Sequence, residues 1–141
     1  MSERKRVLIL CTGNSCRSQM AEGWVNHLLP DAWEACSAGT APAAVVHPLA
    51  IRAMGEVGVD ISGHAPRHVE ELFGQSWDMI ITVCDSAQET CPYYPGPAER
   101  RHISFPDPAS AHGSEAERLA VFRRVRDDIR SRLVSALDAS R

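Results

Sequence analysis

Cys11-Thr12-Gly13-Asn14-Ser15-Cys16-Arg17-Ser18 sets a thiol and a guanidinium at the two ends of a short polar turn. The apolar run Val7-Leu8-Ile9-Leu10 precedes the turn as a buried strand would. Met20, Ala21, Trp24, Val25 and Leu28 follow it on one side of an amphipathic helix. A cysteine therefore ends a strand and an arginine opens a helix. The backbone N–H groups of Thr12, Gly13, Asn14, Ser15 and Cys16 can converge on a tetrahedral oxyanion, with the helix N-terminus behind them. Arg17 can clamp the same anion through two parallel hydrogen bonds. Gly13 permits a backbone path without a Cβ, and Asn14 tolerates left-handed geometry while tying the loop through its side chain. Ser18 can aim its hydroxyl at the Cys11 sulfur and stabilise negative charge there. An isolated cysteine is usually an inert core residue. Cys11 with Arg17 and Ser18, between an apolar strand and an amphipathic helix, predicts a nucleophile with its own anion cradle.

The elements that must position this turn alternate along the chain. Arg6–Leu10 reads as the first strand and Ser18–Leu29 as the first helix, stopped by Pro30. Trp33–Ala38 is a second strand. Pro48–Val57 is a helix with Pro48 in its first turn and Gly58 at its C-terminal cap. Pro66–Phe73 is a short helix, Trp77–Val83 a strand buried on both faces, and His102–Phe105 a fourth strand. Ser114 and Glu117 form a capping box for the last helix, whose core stripe is Leu119, Phe122, Val125, Ile129, Leu133 and Leu137. This order predicts an α/β fold: a four-stranded parallel sheet flanked by helices on both faces, with residues 1–141 forming one catalytic domain. Ligands of such sheets sit beyond the carboxyl ends of the strands. Cys11, Cys84 and Asp107 follow the first, third and fourth strands, so all three should meet at one sheet edge.

Composition sets limits on function. The 141 residues suffice for one real core, and 44% hydrophobic with 23% charged residues is ordinary for a globular chain. A net charge of −3 gives no reason to expect nucleic acid or an anionic membrane as partner. No apolar run approaches the roughly 20 residues that span a bilayer, so a cytoplasmic monomer is the expectation. Five cysteines in such a chain point to reactivity rather than to a disulfide framework. Cys36 is expected as a small buried strand residue, and Cys16 behind the loop. His27, His47, His64, His68, His102 and His112 form no cluster with metal-ligand spacing and are expected at surface or packing positions.

Cys11 to Ser18 resemble the phosphate loop of low-molecular-mass protein tyrosine phosphatases and of the arsenate reductases that share their fold. The continuation Gln19-Met20-Ala21-Glu22-Gly23 resembles the reductase branch, since phosphatases usually carry proline where Gln19 stands. Ser37-Ala38-Gly39, Val83-Cys84-Asp85 through Cys91-Pro92, and Asp107-Pro108-Ala109 extend the resemblance over nearly the whole chain. It is nearest to the thioredoxin-coupled arsenate reductases. The resemblance implies arsenate as a small oxyanion substrate, Asp107 as general acid, and a relay through three cysteines. Cys84 would attack sulfur-bound Cys11, releasing the reduced product and leaving a Cys11–Cys84 disulfide. Cys91 would then attack Cys84, leaving a Cys84–Cys91 bond in an exposed, mobile segment. Thioredoxin would reduce that bond, with glutaredoxin or a low-molecular-mass thiol as alternatives, and no bound cofactor is implied.

Two other functions compete. A tyrosine phosphatase of the same fold needs only Cys11, Arg17 and Asp107, its further cysteines serving as protection against oxidation. Against it, Ala109 stands where those phosphatases carry an aromatic residue, and the only tyrosines are Tyr93 and Tyr94. A zinc protein could use Cys11, Cys16, Cys84 and Cys91, but the spacings are wider than those of common zinc knuckles and Arg17 would repel the metal; no metal site is expected. Thioredoxin-coupled members often hold a potassium ion through an asparagine, a glutamate, a serine and an aspartate. Asn14, Glu22 and Ser37 match, but Arg67 occupies the aspartate position, where its charge opposes a cation. Weak or no potassium stimulation is the expectation. Ile103 and Pro106 also replace the usual tryptophan and acidic residue before Asp107.

Overall fold

A computed structural model describes residues 4–85 and 93–140. Four parallel strands, β1 (Lys5–Cys11), β2 (Trp33–Gly39), β3 (Met79–Thr82) and β4 (Glu99–His102), lie in the order β2-β1-β3-β4. β1 is central, pairing Leu8 with Cys36 on one side and with Ile80 on the other. That position explains why Val7 to Leu10 are apolar without interruption: all four are fully buried, because both sheet faces are covered. Val7, Ile9 and Cys11 point into the larger core, and Leu8 and Leu10 into a smaller one.

Helices cover the two faces unequally. The helices α1 (Arg17–Leu28), α2 (Pro48–Gly55) and α3 (Glu115–Ile129) lie over the larger core through Met20 and Trp24, Ala50 and Met54, and Phe122 and Ile129. The opposite face carries a 3-10 turn, Val69–Leu72, together with Trp77 and Tyr94. Tyr94 closes this side by giving its hydroxyl hydrogen to backbone carbonyls at Leu72 and Gln75.

Helix signals in the sequence correspond to real ends. Pro48 opens α2, and Gly58 beyond its end adopts φ 81°. Ser114 and Glu117 form the expected capping box of α3. The whole stripe from Leu119 to Leu137 is buried. The last helix is not uniform, however. A π-helical turn, Arg130–Val134, separates α3 from the short α4 (Ser135–Ala139).

The fourth strand lies earlier than the sequence suggests, at Glu99–His102 rather than at His102–Phe105. Its residues Glu99, Arg100 and Arg101 are charged, which disguised it. A strand on the sheet edge tolerates and benefits from such charge, because charge discourages pairing with another chain. β3 is likewise shorter than the Trp77–Val83 run, and Pro66–Phe73 forms only the single 3-10 turn. Cys36 is half-buried rather than enclosed.

A charged clamp fastens α2 to α3. The Glu56 carboxylate accepts a bidentate pair from Arg123, at 2.8 and 2.6 Å, and a further bond from Arg126 at 3.1 Å. These guanidiniums hold the Glu56 carboxyl at about 2, well below its ordinary 4.5. A carboxyl depressed in the folded state contributes stability above its ordinary range and loses it as pH falls. The thermal midpoint of the wild type should therefore fall more steeply between about pH 5 and pH 2 than that of Glu56→Gln. Parallel curves would show that the clamp contributes nothing.

Candidate active site

The turn after β1 is held with its carbonyls facing away from its centre. Thr12 O accepts from Ala41 N, Gly13 O from Ala43 N, and Ser15 O from His47 N, at 2.9–3.0 Å. Asn14 O accepts from the Gln19 side chain at 3.2 Å, and Cys16 O from Met20 N within α1. With every carbonyl from Thr12 to Cys16 engaged outside, the peptide planes turn their N–H groups inward. Asn14 N accordingly donates to Cys11 Sγ at 3.2 Å. Cys16, at the N-cap of α1, gives no side-chain cap, and the first turn carries no acidic residue. The first amides of this helix are thus left for an anion.

Asn14 organises the loop from inside. It is fully buried with φ 48°, a left-handed conformation that asparagine tolerates better than other side chains. Its amide nitrogen donates to Ser18 Oγ at 2.8 Å and to Ser37 Oγ at 2.9 Å. Its amide oxygen accepts from Arg67 N and from Gln19 Nε2. All four hydrogen-bonding positions of the side chain are used. Ser18 Oγ lies 2.8 Å from Cys11 Sγ, so its own hydrogen is available to an anionic sulfur. Ser37 passes its hydrogen to Glu22 Oε1 at 2.9 Å. Burial pushes the Glu22 carboxyl up, while His64, Ser37 and Arg67 oppose that.

The structure brings Arg17 and Asp107 to the loop. Arg17 is only 3% exposed and donates to the Phe105 carbonyl at 3.2 Å. Its other terminal nitrogen lies 4.0 Å from Asp107 Oδ2. Asp107 caps the turn Pro108–Ser110 by accepting from Ala109 N, which fixes the carboxylate at the mouth. Cys11, Gly13, Ser15, Cys16, Arg17, Asp107 and Ala109 line a cavity of about 60 Å³. Pockets for drug-sized molecules run to roughly 300–1,000 Å³, so this one suits a small oxyanion.

Each cysteine has a distinct setting. Cys11 is buried at the cavity floor. Cys16 is buried, and burial with the Asp107 charge pushes its thiol up to about 12. It is therefore inert at neutral pH. Cys84 follows β3, just past the register position beside Cys11, and is fully buried and disulfide-bonded. Cys91 lies outside the described residues.

Sequence reasoning gave the histidines no role here, yet two of them support the loop. His47 caps α2 by accepting from Leu49 N, and its own N–H holds Ser15 O. Burial and Arg118 push its pKa down, which keeps Nδ1 free to accept. His64 Nδ1 lies 3.0 Å from Gln19 Oε1 and 3.3 Å from Glu22 Oε2. Both neighbours accept, so this nitrogen carries the hydrogen. Only tertiary pairing reveals such roles; no spacing in the sequence encodes them.

The same bonds bear on potassium. The Asn14 and Ser37 oxygens and the Glu22 carboxylate are already served by Arg67 N, Gln19, Asn14, Ser37 and His64. Arg67 adds a guanidinium beside them, and it counts among the residues whose charge acts on Glu22. These residues do not fit a potassium ion. Initial rates in potassium and sodium chloride at equal ionic strength should agree, and clear activation by potassium would contradict this assignment.

Gly39, at the end of β2, touches the loop most closely. A Cβ there would collide with the Thr12 carbonyl oxygen and lie 2.9 Å from Cys11 O, both immovable backbone. Gly39→Ala should therefore displace the cradle and weaken inorganic phosphate binding at least about tenfold, since misplacement near 1 Å can cost on the order of a hundredfold. Calorimetry would measure this, and unchanged affinity would show that the loop does not depend on this contact.

Comparison with known proteins agrees with the geometry. Residues 6–140 match the family described as low molecular weight phosphotyrosine protein phosphatase. An arsenate reductase of Halalkalibacterium halodurans is 47% identical over 130 residues, covering 92% of this chain and 93% of its own. A solved arsenate reductase in the phosphate binding state superposes with a TM-score of 0.78 at 31% identity, covering 96% of this chain and 98% of that one. A thioredoxin-dependent arsenate reductase of Corynebacterium glutamicum gives a TM-score of 0.66 at 25% identity, over 99% of this chain and 65% of that one. The parallel sheet, the loop from Cys11 to Ser18 and these similarities together place the chain in the low molecular weight phosphotyrosine protein phosphatase family.

Proposed function

We propose that the protein reduces arsenate to arsenite, with Cys11 as nucleophile and electrons drawn from Cys84 and Cys91. The observation that carries this reading is the pairing of an oxyanion-sized cavity around Cys11 with a disulfide-bonded Cys84 at the end of the adjacent strand. Phosphate ester hydrolysis needs no electrons, whereas reduction of an oxyanion draws two, which a second and third cysteine can supply. The relatives named arsenate reductase support the substrate, and the thioredoxin-dependent neighbour supports a dithiol reductant.

In this reading the amides of the loop and Arg17 bind the arsenate oxygens. The Cys11 thiolate attacks arsenic, and a hydroxyl departs as water with a proton from Asp107. Ser18 and Asn14 N hold the sulfur in line, each through a hydrogen bond to it. The Cys84 thiolate then attacks the Cys11 sulfur. The sulfur–arsenic electron pair stays on arsenic, so arsenite leaves and a Cys11–Cys84 disulfide remains. Cys91 attacks Cys84, returning Cys11 as a thiolate and leaving a Cys84–Cys91 disulfide. Two thiols have then lost the two electrons that arsenic gained. Thioredoxin, in the cytoplasm, reduces the pair. Cys84 is fully buried, so in this reading the incoming thiolate is directed to the Cys91 sulfur of the pair.

NADPH oxidation coupled through thioredoxin reductase and thioredoxin tests the proposal. Wild type should turn over steadily with arsenate, and Cys91→Ser should complete at most one round. Hydrolysis of aryl phosphates without any arsenate-dependent NADPH oxidation would instead make the protein a phosphatase.

A further inference from the structure

The π-helical turn Arg130–Val134 follows α3, and no step described above uses it. Wide turns of this kind are rare and often accompany functional sites, because the extra residue re-aims the side chains around it. Here the residue at its centre is Arg132. Its guanidinium donates to the Ser104 carbonyl at 3.0 Å and to Asp128 Oδ2 at 3.1 Å. It also lies over the Phe105 ring, 4.8 Å from the centroid. A flat guanidinium in this position combines a directional hydrogen bond with cation–π attraction, which a point charge reproduces only in part.

Phe105 is fully buried and is held from two sides. Arg132 holds its ring and the carbonyl before it. Arg17 takes its own carbonyl, at 3.2 Å. Its N–H donates to Val83 O, next to Cys84. Asp107 follows after a single proline, whose fixed φ leaves little slack between Phe105 and the carboxylate. The position of the Phe105 peptide therefore sets both the reach of Arg17 toward an oxyanion and the stance of Asp107. A second tie joins α1 to α3, the helix that leads into the π-turn, since Trp24 of α1 donates to Arg126 O at 3.0 Å.

We propose that Arg132 is a positioning residue for oxyanion chemistry at Cys11, acting through Ser104 and Phe105 on Arg17 and Asp107. This rests on the reading of Cys11, Arg17 and Asp107 given above. Nothing in it requires Arg132 to touch substrate.

The test compares wild type, Arg132→Lys and Arg132→Leu. One readout is protection of Cys11 from iodoacetamide by inorganic phosphate, which needs no turnover. The other is the kcat and KM for arsenate. Arg132→Leu should raise the phosphate concentration for half protection about threefold to tenfold and lower kcat about tenfold, within the range that misplacement of a binding group produces. Arg132→Lys keeps the charge and a donor for Ser104 O, so it should recover most of the affinity and part of kcat. A merely structural arginine would change the thermal midpoint while leaving phosphate protection, kcat and KM within about twofold of wild type, and that result would overturn the proposal. Equal losses in both variants would also overturn it, since recovery by lysine is required. Should wild type reduce no arsenate, the reductase reading falls, and phosphate protection still decides the role of Arg132.

Discussion

The outward tethering of the loop carbonyls is the constraint on which the site depends. Five consecutive carbonyls, Thr12 to Cys16, are bonded to Ala41, Ala43, Gln19, His47 and Met20. A turn of this size left in water would satisfy its carbonyls in any direction. Bonding them all to one side sends the amide dipoles to the other, where they act as fixed partial positive charges without reorganisation at the moment of reaction. The donors come from the segment after β2 and from the first turns of α1. β1, β2 and α1 must therefore pack correctly before the cradle exists, and the buried apolar residues of β1 and α1 serve the chemistry through that requirement.

A second, smaller constraint works from within. Asn14 spends its whole hydrogen-bonding capacity on Ser18, Ser37, Arg67 and Gln19. Each bond removes one freedom from the loop. The result connects Cys11 to Glu22 and His64 through hydroxyls whose hydrogens have defined directions. The network is buried, where an unmet polar group costs several times what a met one contributes. This gives Gln19 a physical purpose in this chain: its amide engages the Asn14 carbonyl and the Ala65 carbonyl together.

Much of this was visible in the sequence, and the failures have physical causes. Cys11, Arg17 and Ser18 stood out because a nucleophile and an anion clamp flanked by strand and helix patterns are local features. The sheet edge shared by Cys11, Cys84 and Asp107 followed from strand order alone. The charged β4 did not, because its pattern reflects an edge exposed to solvent rather than a core. The π-turn was hidden for a different reason. Val125, Ile129, Leu133 and Leu137 recur every four residues, slightly more than an α-helix provides. The wide turn absorbs that excess and keeps the stripe buried. His47, His64 and Arg132 matter through pairings across 15 residues or more in sequence, where composition and periodicity carry no signal.

Disulfide mapping after one turnover tests the central claim most directly. Fully reduced protein is mixed with one equivalent of arsenate in the absence of any external reductant, then quenched in acid and mapped by mass spectrometry. The account predicts one arsenite per chain, a bond between Cys84 and Cys91, and Cys11, Cys16 and Cys36 recovered as free thiols. Arsenite formed without loss of two thiols, or a bond through Cys16 or Cys36, would contradict it.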